Sequence, residues 1–247
     1  MRIARVEWAG ETRWAEVEGA SLHALERGRE GWVRAGALGP LDQARLLAPI
    51  EPHNKIIGLL DNFSGRKARR GPGLFLKPMS AVIGPGDDIR WPDGVPAVNF
   101  EAELAVVIGR RAKGVSAAEA LDHVLGYTIA NDMTSFPTLM EDGPASLSTR
   151  FKLFDNFLPL GPWIVTDLNP DRLSLTATLN GELKQDANTA DMAFGVAETV
   201  AWISAVMTLE PGDVISMGTP PGFVEMQRGD VVTCCIEGIG ALENPLV

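Results

Sequence analysis

The sequence predicts a β-rich α+β fold, and three observations carry that prediction. Short runs of β-branched and aliphatic residues recur at strand length along most of the 247 residues. Gly and Pro punctuate the intervals between them, as turns and strand ends require. Helices number only two or three, with the clearest helical signals near 116–125 and 196–207.

Taken in order, residues 2–8 and 12–18 read as two strands turning at Ala9-Gly10-Glu11. A weakly patterned segment follows and ends at Ala48-Pro49-Ile50-Glu51-Pro52, whose paired prolines suggest a linker. A small β-containing N-terminal unit is therefore placed at 1–50 and a larger domain at 51–247. Pro72, Pro78, Pro85, Pro92 and Pro96 crowd one region and favour loops and edge strands there. Phe100 to Ile108 is a strand on its aliphatic content. Ser116-Ala117-Ala118-Glu119 has capping-box spacing, predicting a helix that runs to about Leu125 and stops at Gly126. A strand from Tyr127 to Ala130 then delivers Asn131-Asp132. Further on, Leu173 to Leu179 alternates apolar and polar residues into Asn180-Gly181, a two-residue hairpin turn. Residues 196–207 read as an amphipathic helix with Val196, Val200, Ile203 and Met207 on one face. Strands at Asp213 to Met217 and Asp230 to Ile236 complete the pattern.

Bulk properties exclude several partners. With 32 acidic residues against 22 basic ones, the formal charge is −10, the wrong sign for a phosphate backbone. The run Arg66-Lys67-Ala68-Arg69-Arg70 is too short to reverse that field; it reads as a solvated loop or as charges for an anionic substrate. No stretch approaches the roughly 20 apolar residues of a membrane span, and the opening residues lack the apolar core of a secretory signal. A cytoplasmic protein without membrane or nucleic-acid partners is expected. Cys234 and Cys235 adjoin in an expected strand and so point to opposite faces, which suits free thiols better than a disulfide framework or a zinc site.

In an extended strand, residues two apart share a face, so Glu101 and Glu103 project together. Like charges side by side on a half-buried strand resist desolvation, and a divalent cation would compensate them. Asp132 supplies a third carboxylate if its strand lies alongside. Three carboxylates suit a hard ion such as magnesium or manganese. Two glutamates on a solvent-facing strand would show the same spacing, and spacing alone does not choose.

A longer series of landmarks bears on that choice. It includes Phe75-Leu76-Lys77-Pro78, Glu101-Ala102-Glu103-Leu104-Ala105-Val106-Val107-Ile108-Gly109, Gly126-Tyr127-Thr128-Ile129-Ala130-Asn131-Asp132, Asn180-Gly181-Glu182, Thr189-Ala190-Asp191-Met192 and Gly218-Thr219-Pro220. In that order, over about residues 55–247, they resemble the fumarylacetoacetate hydrolase family. The resemblance implies a mixed β-roll catalytic domain, usually paired as a homodimer. It implies that Glu101, Glu103 and Asp132 bind a metal, magnesium or manganese. It also implies that Lys152 lies near the substrate, and that Lys77 and Thr219 line the pocket.

One departure shapes the expected chemistry. Family hydrolases commonly carry Asn-Tyr-x-x-His-x-x-Glu, whose His and Glu activate water. Here the segment is Asn62-Phe63-Ser64-Gly65-Arg66-Lys67-Ala68-Arg69, with Arg66 and Arg69 at those positions. None of His23, His53 and His123 replaces the dyad. The Ser-x-Arg-Asp pattern that often follows the third carboxylate is replaced by Met133-Thr134-Ser135-Phe136-Pro137. Chemistry that needs no water nucleophile remains: decarboxylation or isomerisation of a small unsaturated 2-oxo (2-hydroxy-diene) di- or tricarboxylic acid. That is the chemistry of the family's 4-hydroxyphenylacetate (homoprotocatechuate) degradation branch. On this reading Lys152 offsets charge or moves a proton, while Arg66 and Arg69 hold a remote carboxylate. An acylpyruvate-type hydrolase, an oxaloacetate decarboxylase and a non-catalytic partner subunit stand as alternatives.

Overall fold

Alternating burial builds the first hairpin. In the computed structural model, which describes residues 1–28, 31–51, 53–63, 65, 71–143 and 149–247, strands β1 (Arg2–Trp8) and β2 (Glu11–Glu18) bury Ile3, Ala4, Val6, Ala15 and Val17. Ala9 and Gly10 both take positive φ, 52° and 81°, the twist a two-residue hairpin turn requires. The weakly patterned segment that follows is mostly strand: β3 (Ser21–Arg27), β4 (Trp32–Pro40) and β5 (Arg45–Leu47). β4 ends the sheet and is largely exposed, so no buried face imposes an apolar alternation on it.

The remaining strands are β6 (Ile56–Leu60), β7 (Gly73–Lys77), β8 (Val82–Ile83), β9 (Val98–Asn99), β10 (Ala102–Ile108) and β11 (Val124–Asn131). After helix α1 (Phe136–Asp142) come β12 (Leu158–Val165), β13 (Ser174–Leu179) and β14 (Glu182–Asn188). Helix α2 (Val196–Val206) precedes β15 (Val214–Ser216), β16 (Glu225–Met226), β17 (Val231–Ile236) and β18 (Gly240–Pro245). Among the described residues the main sheet runs β4-β3-β2-β1-β12-β11-β10-β15-β6-β7, with β5 on β1 and β8 on β12. It is mixed: β15 pairs parallel with β6 and β8 parallel with β12, and the other pairs are antiparallel. The N-terminal strands extend this sheet, with Ile3 opposite Ile164 of β12.

A second sheet, β14-β13-β17-β18, packs over the first. Leu104, Val106 and Ile108 face it, meeting Leu175, Ala177, Val232 and Ile236. Ala105 and Val107 point the other way, among Ile3, Ile56, Ala130 and Val214. Covered on both faces, β10 is a continuous apolar run from Leu104 to Ile108, and burying each large side chain contributes roughly 1.5–3 kcal/mol. The site is built at the start of this strand.

Beyond the strands β3 to β5, the structure departs from the sequence reading in three places. Ser116 and Glu119 do meet, the Ser116 hydroxyl donating to Glu119 Oε2 at 2.7 Å, but this does not cap a helix: only a 3-10 turn (Ala120–His123) follows, with no side-chain cap hydrogen bond. Val124 already belongs to β11, and Gly126 is a strand residue. A Cβ at Gly126 would lie 2.4 Å from the Val165 carbonyl oxygen, so glycine there admits close approach of β12 instead of ending a helix. Second, the strand expected from Phe100 begins at Ala102, because the Glu101 N–H leaves the ladder to donate to Asn131 Oδ1 at 2.9 Å. Third, α1 was not anticipated. Pro137 occupies its first turn, where a missing N–H costs nothing, and Ser135 caps it. Cys234 is buried and Cys235 half-buried, both free. Among the described residues no helix is long and apolar enough to cross a membrane.

Candidate metal centre

Strand pairing assembles the acidic cluster. Ala102 of β10 lies opposite Asn131 of β11, which brings Glu101 and Asp132 side by side at the next rung. The Asp132 N–H donates to the Glu101 carbonyl at 2.8 Å. Glu103 follows two residues along β10. A carboxylate oxygen from each of Glu101, Glu103 and Asp132 lies within 4.8 Å of the others, and all three residues are buried.

Two lysines meet this cluster from other elements. Lys152, in the 3-10 turn Arg150–Lys152, donates to Glu101 Oε2 and Asp132 Oδ2, both at 2.5 Å. Its ammonium also lies 5.2 Å from the centre of the Phe75 ring, a cation–π contact. Lys77, at the end of β7, donates to Asp132 Oδ1 at 2.6 Å and to the Met133 carbonyl at 3.1 Å. Glu103 instead accepts from the Ser216 hydroxyl at 2.5 Å and the Gly218 N–H at 2.8 Å. Gly218 delivers that N–H from a backbone with φ of 89°, where a Cβ would also press to 2.9 Å from Asn62.

The titration behaviour follows from burial and from these partners. Burial pushes the Glu103 carboxyl up to about 8; the Asp132 charge adds to this, and Lys152 only partly offsets it. Glu101 is also raised, by burial first, against the pull of Lys152. Asp132 is held below the ordinary carboxylate range, since Lys152 and Lys77 together outweigh its burial. Burial lowers Lys77 despite Asp132. Lys152 is raised, because Asp132, Glu101 and Glu103 overcome its burial. Fully ionised, three carboxylates against two ammoniums leave a formal −1 in a buried cluster. An all-oxygen donor set with that residual charge fits a hard divalent cation such as magnesium or manganese.

Part of the cluster, Glu101, Glu103 and Lys152, lines a cavity of about 490 Å³, while Asp132 is buried behind them and does not reach the lining. Glu101, Glu103, Lys152 and Thr219 line its polar side, and Asp61 also reaches the lining. Phe63, Phe75, Phe136, Leu139 and Phe223 form the apolar wall, with the Phe136 and Phe223 rings stacked at 5.2 Å and 24°. Lys77 is buried behind Asp132 and is not among the lining residues. Arg66 and Arg69 lie outside the described residues. Two of the histidines serve elsewhere: His23 faces Glu18 at 3.2 Å, and His123 Nδ1 lies 2.9 Å from the Arg111 carbonyl.

Sequence reasoning missed Ser216, Gly218, the aromatic wall and Gln185. A serine closing an otherwise apolar strand was a usable signal for Ser216. The others meet the site only through long-range packing.

Residues 57–247 match the family profile described as fumarylacetoacetate (FAA) hydrolase C-terminal, and residues 1–49 match one described as Rv2993c-like, N-terminal. The crystal structure of 2-hydroxyhepta-2,4-diene-1,7-dioate isomerase from Mycobacterium marinum superposes with a TM-score of 0.92 at 43% identity, covering 100% of this chain and 98% of that one. The mitochondrial oxaloacetate tautomerase fahd2 of Xenopus laevis is 39% identical over 218 residues, 82% of this chain and 68% of that protein. Maleylpyruvate hydrolase from Sphingobium sp. SYK-6, solved with manganese(II) ion and pyruvate, superposes with a TM-score of 0.82 at 29% identity, covering 100% and 99% of the two chains. Sharing the profile over most of its length and the fold over all of it, the chain belongs to the fumarylacetoacetate hydrolase family.

Proposed function

We propose that this chain is a divalent-cation-dependent isomerase that moves a proton along a small unsaturated 2-oxo (2-hydroxy-diene) di- or tricarboxylic acid, with decarboxylation of a related acid as a companion activity. The single observation that carries the reading is the convergence of Glu101, Glu103 and Asp132 beside Lys152, with Glu101, Glu103 and Lys152 lining one cavity. The isomerase from M. marinum, similar over the full chain, supports the choice of reaction. Degradation of 4-hydroxyphenylacetate is the pathway that supplies such acids.

In this account Glu101, Glu103 and Asp132 hold magnesium or manganese. When bound, the ion supplies a Lewis acid for the carboxylate and 2-oxo oxygens of the substrate, acidifying the neighbouring C–H. Ser216 and the Gly218 N–H lock the Glu103 carboxylate in place, so a ligand is already oriented. Lys77 does the same for Asp132 from behind. Lys152 keeps its proton while bare carboxylates face it; once they are engaged elsewhere, that hold weakens and Lys152 can give or take a proton at the substrate. With Glu101 and Glu103 assigned to the cation, Asp61 and Lys152 are the other ionisable groups lining the cavity among the described residues. The aromatic wall presents an apolar surface to the reacting carbons, a setting that suits an internal proton shift.

The test is turnover of 2-hydroxyhepta-2,4-diene-1,7-dioate, followed by the ultraviolet absorbance of its conjugated system, with magnesium or manganese and again after chelation. Carbon dioxide release from 5-oxopent-3-ene-1,2,5-tricarboxylate reads out the companion step. A second reading has its own support in the 39% identity to a protein named oxaloacetate tautomerase. It predicts that oxaloacetate keto–enol exchange is accelerated and the diene is left unchanged.

A further inference from the structure

Gln185, on β14 of the second sheet, is fully buried, and its side chain reaches across to the site. The Ala102 N–H, between two proposed ligands, donates to Gln185 Oε1 at 3.1 Å. Gln185 Nε2 donates to the Pro220 carbonyl at 2.7 Å and to Thr219 Oγ1 at 2.8 Å. A backbone N–H only donates and a carbonyl only accepts, so these partners decide which end of the amide is oxygen. Thr219 Oγ1 must therefore accept from Gln185. Its own hydrogen is committed as well, donated to the Ala102 carbonyl at 3.0 Å. What remains on that hydroxyl is a lone pair, and Thr219 lines the cavity alongside Glu101, Glu103 and Lys152.

We propose that the Gln185–Thr219–Ala102 relay makes Thr219 a hydrogen-bond acceptor toward the cavity, so that the site selects acids presenting an O–H or N–H donor there. For an unsaturated 2-oxo acid this means the enol, 2-hydroxy form over the keto form. Gln185 is then a positioning residue, acting on the ligand through Thr219. The inference rests on the reading of the cavity as a 2-oxo acid site.

Oxalate and oxamate form a suitable probe pair. They are close in size and share one carboxylate, but oxamate carries N–H donors where oxalate has an acceptor oxygen. Calorimetric titrations use the manganese-loaded chain and its Thr219→Ser and Thr219→Val variants. The relay predicts that Thr219→Val weakens oxamate by about 5- to 10-fold and leaves oxalate within about twofold, with Thr219→Ser close to the parent. Selective loss of oxalate overturns the proposal, because the hydroxyl would then be donating to the ligand. Equal loss of both ions overturns it too. Failure of the unmodified chain to bind either ion overturns the underlying 2-oxo acid reading instead. Should Thr219→Val not fold, Gln185→Leu replaces it: releasing the hydroxyl should lower the ratio of oxamate to oxalate affinity, and an unchanged ratio contradicts the relay.

Discussion

Two regions of this molecule pair acids with bases, and they do so to opposite effect. On the N-terminal sheet, Arg34 of β4 spans Glu16 and Glu18 of β2 at 2.7 and 3.1 Å, with its guanidinium side chain 42% exposed. Where β10 meets β11, Lys152 spans Glu101 and Asp132 at similar distances, with its side chain 5% exposed. The partners are alike; the solvent is not. Water screens the first group, so the charges there are nearly independent of one another. Burial couples the second group, so each charge depends on its neighbours and an added cation is felt by all of them.

The largest effect that can break this contrast comes from Asp132→Ala. It strands Lys77 and Lys152 without their shared counter-charge, and a loss of about 3–5 kcal/mol in denaturant unfolding is expected, together with loss of cation binding. An unfolding midpoint near that of the parent would mean that the buried group is not coupled.

Lys152→Met should come next. It removes the proton carrier but no carboxylate, so manganese affinity should survive while turnover falls by at least about 100-fold, the contribution typical of general acid–base groups. Turnover within a few-fold of the parent would shift the role to Asp61.

A pH series sharpens the comparison further. The folded Glu103 carboxyl titrates near 8, far above an unfolded glutamate. Between those two values the folded chain holds a proton that the unfolded chain has lost. In chelator, stability should therefore fall as pH rises from about 4.5 toward 8. Glu103→Gln should remove that part of the slope. Because a proton and the cation compete for Glu103, cation affinity should rise with pH over the same window, accompanied by proton release. Arg34→Ala is the smallest case. Its unfolding midpoint should stay essentially unmoved, and the little change it causes should vanish in salt.

The same contrast explains what could be read in advance. Glu101 and Glu103 were legible as a pair because strand periodicity puts residues two apart on one face. Asp132 joined them through the ordered family resemblance, which the pairing of β10 with β11 then explains. Asn180-Gly181 was legible from a local rule as well, and both residues take positive φ, 52° and 81°. The contacts of Lys77, Ser216, Gly218 and Gln185 join residues 34 to 115 positions apart, and no local pattern encodes such meetings. β3 and β4 escaped detection because much of their surface faces solvent and leaves composition free. Near 116–125, the helix signal of the Ser116–Glu119 spacing was outweighed by the pairing of β11 with β10 and β12.

Everything above depends on a doubly charged ion binding among the three carboxylates. The most direct test is a calorimetric titration of manganese into the metal-stripped chain and its Glu103→Gln variant at pH 8. The account predicts one site per chain in the parent, with proton release, and affinity at least about tenfold weaker in the variant. Equal affinity in the two proteins would contradict it.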